Sequence, residues 1–121
     1  TEKIRLSSAN KGQTFETKLD DLLYLEAMQN YVLVHHLVEG KEEKEILRST
    51  LSQVEAELPI EDFYRSHRSF IVNLNQIEKV EGNAQGLKLF LKGNVPESIP
   101  VSRKKIKELK NRLSQKLVVH P

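Results

Sequence analysis

Residues 63–74 read Phe-Tyr-Arg-Ser-His-Arg-Ser-Phe-Ile-Val-Asn-Leu, and this stretch is the most informative part of the chain. Its second half, residues 69–74, is an almost continuous apolar run, which predicts a strand buried in a sheet. The residues before Phe70 include two Arg, one His and two Ser, which are donors suited to phosphate or to the edge of guanine. We expect Phe63 and Phe70 to be core residues and Arg68 to reach a ligand, although an Arg in this position could also be merely solvated.

The composition is that of one ordinary folded domain. The chain has 121 residues, of which 38% are hydrophobic and 30% charged, and this length accommodates a single modest core. It contains no apolar run of about 18 residues, so we expect no membrane contact. The absence of Cys excludes disulfides, thiolate zinc sites and a Cys nucleophile. Because the chain starts Thr-Glu-Lys without an initiator Met, we expect a fragment of a longer protein.

The net charge of +2 conceals an asymmetry along the chain. Residues 1–62 carry 7 Lys and Arg against 13 Asp and Glu, whereas residues 63–121 carry 12 against 4. A basic region of this kind indicates a polyanionic partner, with an acidic region elsewhere on the surface. Chance placement of solvated charges is the alternative, and charge alone does not decide between the two.

Apolar runs separated by turn residues predict a mainly β fold. The predicted strands cover residues 4–6, 15–18, 22–27, 31–38, 45–48, 69–74, 77–81, 87–91 and 99–101, with a five-residue turn at 82–86. Thr50 and Gln53 have the spacing of a capping box, which predicts a short inner helix that ends at Pro59. A C-terminal helix is predicted from an N-cap at Ser102 to about Leu117. Its apolar stripe consists of Ile106, Leu109, Leu113 and Leu117.

The sequence contains no recognisable catalytic or metal-binding motif. The four His residues show no metal-ligand spacing, and the neighbours His35 and His36 are expected on opposite faces of a strand. A Ser–His–Asp set can be composed only from Ser66, His67 and Asp62, and nothing in the sequence predicts hydrogen bonds between them. We therefore expect no enzymatic activity, no metal and no cofactor.

Residues 102–105, Ser-Arg-Lys-Lys, break a rule of helix stability. Cations in the first turn oppose the helix dipole, each at a cost of about 0.3–1 kcal/mol, and here Arg103, Lys104 and Lys105 follow one another. A bound phosphate would explain them, because free N–H groups and the dipole attract anions at a helix N-terminus. The alternative is a basic helix whose charges are all solvated. The later Lys and Arg residues of this helix are expected to be mostly solvated, and the first three could be as well.

A polar turn is predicted within residues 26–31, Glu-Ala-Met-Gln-Asn-Tyr, between two apolar strands. The amides of Gln29 and Asn30 can read adenine edges or hold phosphate. Asn30 could equally be present for its tolerance of the left-handed backbone conformation in a turn.

Three motifs in this order resemble the LytTR domain, the DNA-binding output domain of many bacterial response regulators. They are Leu23-Tyr24-Leu25-Glu26-Ala27 with Asn30-Tyr31-Val32, then residues 63–74, then Ile99-Pro100-Val101-Ser102-Arg103. The likeness covers nearly the whole chain, and the middle motif is the most specific. Gln29 stands in place of a common Gly and Ser66 in place of a commoner apolar residue, and these departures concern base preference more than the fold.

The resemblance implies an elongated fold of small, mostly antiparallel sheets with little helix. It also implies that loops, rather than a recognition helix, enter successive major grooves on one side of double-stranded DNA. By motif position, the base-contacting residues lie at or beside Tyr31, at Arg68 and at Arg103. With neighbouring donors included, the predicted DNA-binding residues are Asn30, Tyr31, Arg65, His67, Arg68, Ser69, Ser102, Arg103, Lys104 and Lys105.

Taken with this resemblance, the sequence predicts one DNA-binding domain over residues 1–121, with a core of about 3–113, from a cytoplasmic bacterial transcription regulator of a two-component system. The expected partners are double-stranded DNA with repeated sites, a second copy on the DNA, and an N-terminal receiver or other sensor domain. A protein-interaction or sensor module of the same fold is the alternative, and it would lack salt-dependent affinity for a duplex.

Overall fold

The computed structural model describes residues 2–93 and 95–118, the last two of these by their backbone alone. The strands are β1 (Lys3–Ser7), β2 (Thr14–Lys18), β3 (Leu22–Met28), β4 (Tyr31–Val38), β5 (Lys41–Leu47), β6 (Phe63–His67), β7 (Phe70–Asn73), β8 (Ile77–Asn83), β9 (Gly86–Leu91) and β10 (Ile99–Val101). The helices are α1 (Leu51–Glu57) and α2 (Ile106–Val118), with short 3-10 turns at Leu19–Asp21, Leu74–Gln76 and Arg103–Lys105. The predicted mainly β class, with a short inner helix and a C-terminal helix, is confirmed.

The strands form three small antiparallel sheets. β1 pairs with β2, and a three-stranded sheet has the order β10-β9-β8. The central sheet has five strands in the order β5-β4-β3-β7-β6. Because β3 lies between β4 and β7, this sheet brings together segments that are far apart in the sequence.

The central sheet is covered on both faces, which explains why β3 is a continuous apolar run. The first four residues of β3 are at most 1% exposed, and successive residues of a strand face opposite sides. Leu25 belongs to a first core with Ile4 of β1 and Val54 of α1. Its neighbour Tyr24 belongs to a second core, which includes Leu89 of β9. The sheet therefore separates the β1–β2 side of the domain from the β8–β10 side.

A tight turn makes β5 longer than predicted. The strand begins at Lys41 rather than at residue 45, because Glu39 and Gly40 close a two-residue turn between β4 and β5. Both turn residues have positive φ, 53° and 80°, which is the backbone geometry that matches the twist of hairpin strands.

The predicted five-residue turn at 82–86 is also too long. Asn83 pairs with Gly86 across the β8–β9 hairpin, which leaves a two-residue turn. The Asn83 side-chain oxygen accepts a hydrogen bond from the Gln85 amide at 2.9 Å. Gly82 has a φ of 123°, and a Cβ there would lie 2.4 Å from the Gly86 carbonyl oxygen. A side chain at Gly82 would therefore collide with the opposite strand of the hairpin.

One strand was missed from the sequence. β6 lies at the edge of the central sheet, and its buried residues are Phe63, Tyr64 and Ser66 rather than every second residue. Phe63 packs in the first core and its neighbour Tyr64 in the second, and an irregularity in the pairing with β7, between Tyr64 and His67, further breaks the alternation. The period of two that identifies a strand in sequence is therefore absent here.

The two helices begin differently. Thr50 caps α1 as predicted, since its hydroxyl oxygen accepts from the Gln53 amide at 3.1 Å. Ser102 precedes the turn Arg103–Lys105, but the prediction that its side chain caps the helix is wrong. Its Oγ instead lies 3.5 Å from the carbonyl oxygen of Ser66.

The predicted apolar stripe holds α2 on the second core. Leu109 is fully buried there, and Ile106 and Leu113 are partly buried against the same cluster. The side chain of Leu117 lies outside the described part of the chain.

Candidate nucleic-acid interface

Two of the three predicted loops lie at the same end of the central sheet. β3 and β7 are antiparallel neighbours, and the Ala27 amide donates to the Ser69 carbonyl at 2.9 Å. The β3–β4 turn at residues 29–30 therefore lies beside the β6–β7 turn at residues 68–69 and extends slightly beyond it.

The first loop presents an exposed amide. Tyr31 pairs with Met28 and is half-buried, whereas Asn30 at the turn is exposed. Among the described residues other than glycine, only Glu39 has a positive φ. The alternative explanation of Asn30, that its backbone is left-handed, is therefore wrong.

The second loop carries Arg68 at its tip, and Arg65 supports it from below. Arg68 is exposed, and its carbonyl oxygen accepts from Nη2 of Arg65 at 2.7 Å. Nη1 of Arg65 donates towards Ser52 Oγ at 3.3 Å and lies 3.4 Å from a carboxylate oxygen of Glu55. Arg65 is thus engaged with α1 and with the turn itself, whereas the guanidinium of Arg68 extends from a supported backbone.

His67 is also oriented by this turn. Its Nδ1 accepts from the amide of Ser69 at 3.1 Å, and its ring packs edge-on against Phe70 with centroids 5.8 Å apart. Because Nδ1 is the acceptor, the neutral ring carries its proton on Nε2.

The third loop, residues 102–105, is tied directly to the second loop, the β6–β7 turn at residues 68–69. Ser66 is fully buried, and its hydroxyl donates to the carbonyl oxygen of Pro100 at 2.9 Å. The Ser66 carbonyl oxygen in turn accepts from the amide of Ser102 at 2.9 Å. The start of the Arg103–Lys105 turn is therefore held beside Ser66 of β6, which comes two residues before Arg68 in the sequence.

The three cations of the third loop differ in their surroundings. Arg103 and Lys104 are exposed. Lys105 is half-buried, and its ammonium lies 5.9 Å from the centre of the Tyr64 ring. Nη1 of Arg103 donates to the side-chain oxygen of Gln85 at 3.3 Å. Gln85 was not identified from the sequence, because this contact joins two segments that no local pattern relates.

Tyr64 anchors the beginning of α2 below these cations. Its hydroxyl donates to the Lys105 carbonyl oxygen at 3.1 Å and lies 3.3 Å from the Glu108 carboxylate. Burial, followed by the negative charge of Glu108, raises the pKa of Tyr64 to about 12. The phenol therefore stays protonated as a donor throughout the physiological range.

One more exposed cation, Arg48, lies at the end of the central sheet that carries the β3–β4 turn, and it was not identified from the sequence. Val32 of β4 pairs with Leu47 at the end of β5, so the exposed Arg48 follows at the sheet end that carries turn 29–30. Its position depends on the β4–β5 register, which was not predictable from charge.

The described residues do not assemble the Ser–His–Asp set considered above. The hydroxyl of Ser66 is bonded to Pro100, and the carboxylate of Asp62 accepts from Asn75 at 2.9 Å and from Lys116 at 3.1 Å. Within the part of the chain that is described, no group of three or more His, Asp or Glu is placed to hold a metal ion. None of the described helices is long and apolar enough to cross a membrane.

Comparisons with known proteins identify the family of the chain. The family model of the LytTr DNA-binding domain matches residues 12–114. The transcriptional regulatory protein YpdB of Escherichia coli K12 is 30% identical over 94 residues, which cover 78% of this chain and 37% of YpdB. The sensory transduction protein LytT of Enterococcus faecalis is 28% identical over 114 residues, covering 85% and 44% respectively. The chain thus spans less than half the length of either protein.

A solved LytTr DNA-binding domain from Bacillus cereus has the same fold. It superposes with a TM-score of 0.71 at 24% identity, and the match covers 93% of this chain and 97% of that one. The family match extends over most of the chain and includes all three loops. The chain belongs to the LytTr DNA-binding domain family.

Proposed function

We propose that the three loops read a specific site on double-stranded DNA. One observation carries the proposal: the exposed Arg68 and Arg103 come from different motifs, yet their loops are joined by the hydrogen bond between Ser66 and Ser102. A guanidinium can contact guanine O6 and N7 with two hydrogen bonds. Two such groups on loops of fixed separation suit the reading of two separate base pairs in the major groove.

The neighbouring residues supply further contacts. Lys104 and Lys105 neutralise phosphates, which makes the affinity dependent on salt. The residues proposed to contact DNA are Asn30, Tyr31, His67, Arg68, Ser69, Ser102, Arg103, Lys104 and Lys105. We assign Arg65 a positioning role, because its guanidinium is occupied by Ser52, Glu55 and the carbonyl of Arg68.

At the level of the whole protein, we propose that residues 1–121 act as a single, non-enzymatic output domain. Relatives that are more than twice as long as the matched segment support a further domain, such as a receiver, in the complete protein. A regulator of this class would act in the cytoplasm and bind repeated sites as a dimer. The signal that reaches it comes from the part outside this chain.

Selection of bound duplexes from a random library tests this function. The selection is made at two salt concentrations with the parent chain, with Arg103→Ala and with Arg5→Ala, an exposed Arg on β1. Arg103→Ala should weaken binding to the selected site by about 1–3 kcal/mol and relax preference at one base pair. Arg5→Ala should leave that preference unchanged.

The outcomes separate the two interpretations of the fold. An enriched motif that loses one position in Arg103→Ala supports specific DNA reading. If the parent chain enriches no motif, specific recognition is wrong; if it also shows no salt-dependent retention of any duplex, the protein-interaction module becomes the better description.

A further inference from the structure

A basic cleft lies beside the third loop, between the β8–β9 hairpin tip and the first turns of α2. This α2 cleft has a volume of about 470 Å³, and its lining includes Gly82, Asn83, Arg103, Ile106, Lys107 and Lys110. Among the described lining residues, three are cations and none is a carboxylate. Glu81, the acidic residue next to Gly82 on β8, is paired with Lys79 at 2.5 Å.

Lys107 and Lys110 lie on the first turns of α2, and Arg103 lies in the 3-10 turn that leads into this helix. Arg103, Lys107 and Lys110 are separated by four and three residues, which is the spacing of neighbours on a helix surface. Like charges at these spacings destabilise a helix. Glu108, the acidic residue between them in sequence, is directed to Tyr64 on another side. The side that faces the cleft therefore concentrates positive charge, and an anion in the cleft would relieve this repulsion.

The opposite wall of the cleft is the β8–β9 hairpin tip. The close approach of Gly82 to Gly86 leaves no room for a side chain at Gly82, and the Gln85 amide donates to the Asn83 side-chain oxygen. The side chain of Gln85 then holds Arg103 at 3.3 Å. Arg103 consequently belongs to both the third loop and the cleft. A DNA strand contacted by Arg103 would therefore continue past Lys107 and Lys110.

We propose that the α2 cleft binds the phosphate backbone of DNA next to the base pair read by Arg103, with Lys107 and Lys110 as phosphate ligands. This inference rests on the proposed function and extends the interface beyond the three loops. Phosphate contacts position a protein without reading sequence. The two lysines therefore contribute to affinity for every duplex and not to the choice of site.

The test uses Lys107→Gln with Lys110→Gln in the full chain. A matched control, Lys3→Gln with Lys18→Gln, removes the same charge from exposed residues that face each other on β1 and β2. Binding of the selected duplex and of a scrambled duplex is measured over a series of salt concentrations. Loss of two phosphate contacts should reduce the slope of log K against log salt by about 1.8 relative to the control.

Both duplexes should weaken by the same factor, and Lys107→Arg with Lys110→Arg should restore the slope. The inference is overturned if the Gln variant has the slope of the control, or if only the selected duplex is weakened. If the parent chain binds the selected and the scrambled duplex equally well, the proposed function itself is wrong. The role of the cleft beside a base-reading Arg103 is then wrong as well.

Discussion

The buried hydroxyl of Ser66 donates a hydrogen bond to the carbonyl oxygen of Pro100 across 2.9 Å. This bond and the one from the Ser102 amide to the Ser66 carbonyl join β6 to β10. The two loops that carry Arg68 and Arg103 therefore share one support, although the two arginines are 35 residues apart in the sequence. Their relative position depends on the folded core rather than on local structure.

Replacing Ser66 by Ala tests this support. The variant removes the donor to Pro100 and leaves that carbonyl oxygen without this partner, so we expect a loss of about 1–2 kcal/mol in the free energy of unfolding. Urea denaturation of the purified chain measures the change. Ser114→Ala on the exposed side of α2 is the matched control and should differ from the parent by less than about 0.5 kcal/mol. Equal stability of the two variants would contradict the role given to Ser66.

Asn73 is expected to be the more sensitive polar residue of the core. Its amide nitrogen donates to the carbonyl oxygens of Leu19 and Leu22 at 3.0 and 2.7 Å, and its oxygen accepts from the Asn75 amide at 3.0 Å. Asn73→Ala leaves these backbone groups unpaired in a buried place, which should cost about 3 kcal/mol. The exposed Asn111→Ala is the control. A loss below about 1 kcal/mol, measured by the same urea titration, would show that water replaces the amide.

Most of the fold was predictable because the hydrophobic patterns are local. The run at β3 and the stripe of α2 each identify an element without reference to the rest of the chain. β6 was missed because Phe63 and Tyr64 are buried in succession, one in each core. Sequence can show that a residue is apolar, but it cannot show that the two faces of a strand meet different layers.

The sequence predicts Arg68 and Arg103 of the candidate site, but not the contacts that hold the neighbouring side chains in place. Arg68 and Arg103 stand out by residue type within motifs. Arg48 and Gln85 do not, because one depends on the β4–β5 register and the other on a contact between a hairpin tip and the start of α2. Arg65 belongs to the same basic motif as Arg68, and only its bonds to α1 and to the turn led us to propose a positioning role for Arg65 and a base-reading role for Arg68.

The stability of the domain should fall in mild acid because of His36. Burial lowers the pKa of His36, despite the opposing effect of Glu45 and Glu43. The unfolded chain therefore binds a proton first as the pH falls below about 6.5, and the free energy of unfolding decreases until the pH passes the folded pKa. His36→Gln should lose less stability between neutral pH and about pH 5 than the parent. Parallel curves for the two proteins, measured by urea denaturation at each pH, would refute this account.

Gln85 should matter to DNA binding only through Arg103. Its side-chain oxygen accepts from Nη1 of Arg103 at 3.3 Å, and both residues are exposed. Holding a flexible side chain in its bound geometry saves about 0.5–1.5 kcal/mol of ordering cost, so Gln85→Ala should weaken binding to the selected duplex by about that amount. In an Arg103→Ala background the same replacement should have no effect, because the group it positions is gone. A loss of equal size in both backgrounds would mean that Gln85 contacts DNA itself, and Gln115→Ala on α2 controls for loss of an exposed amide.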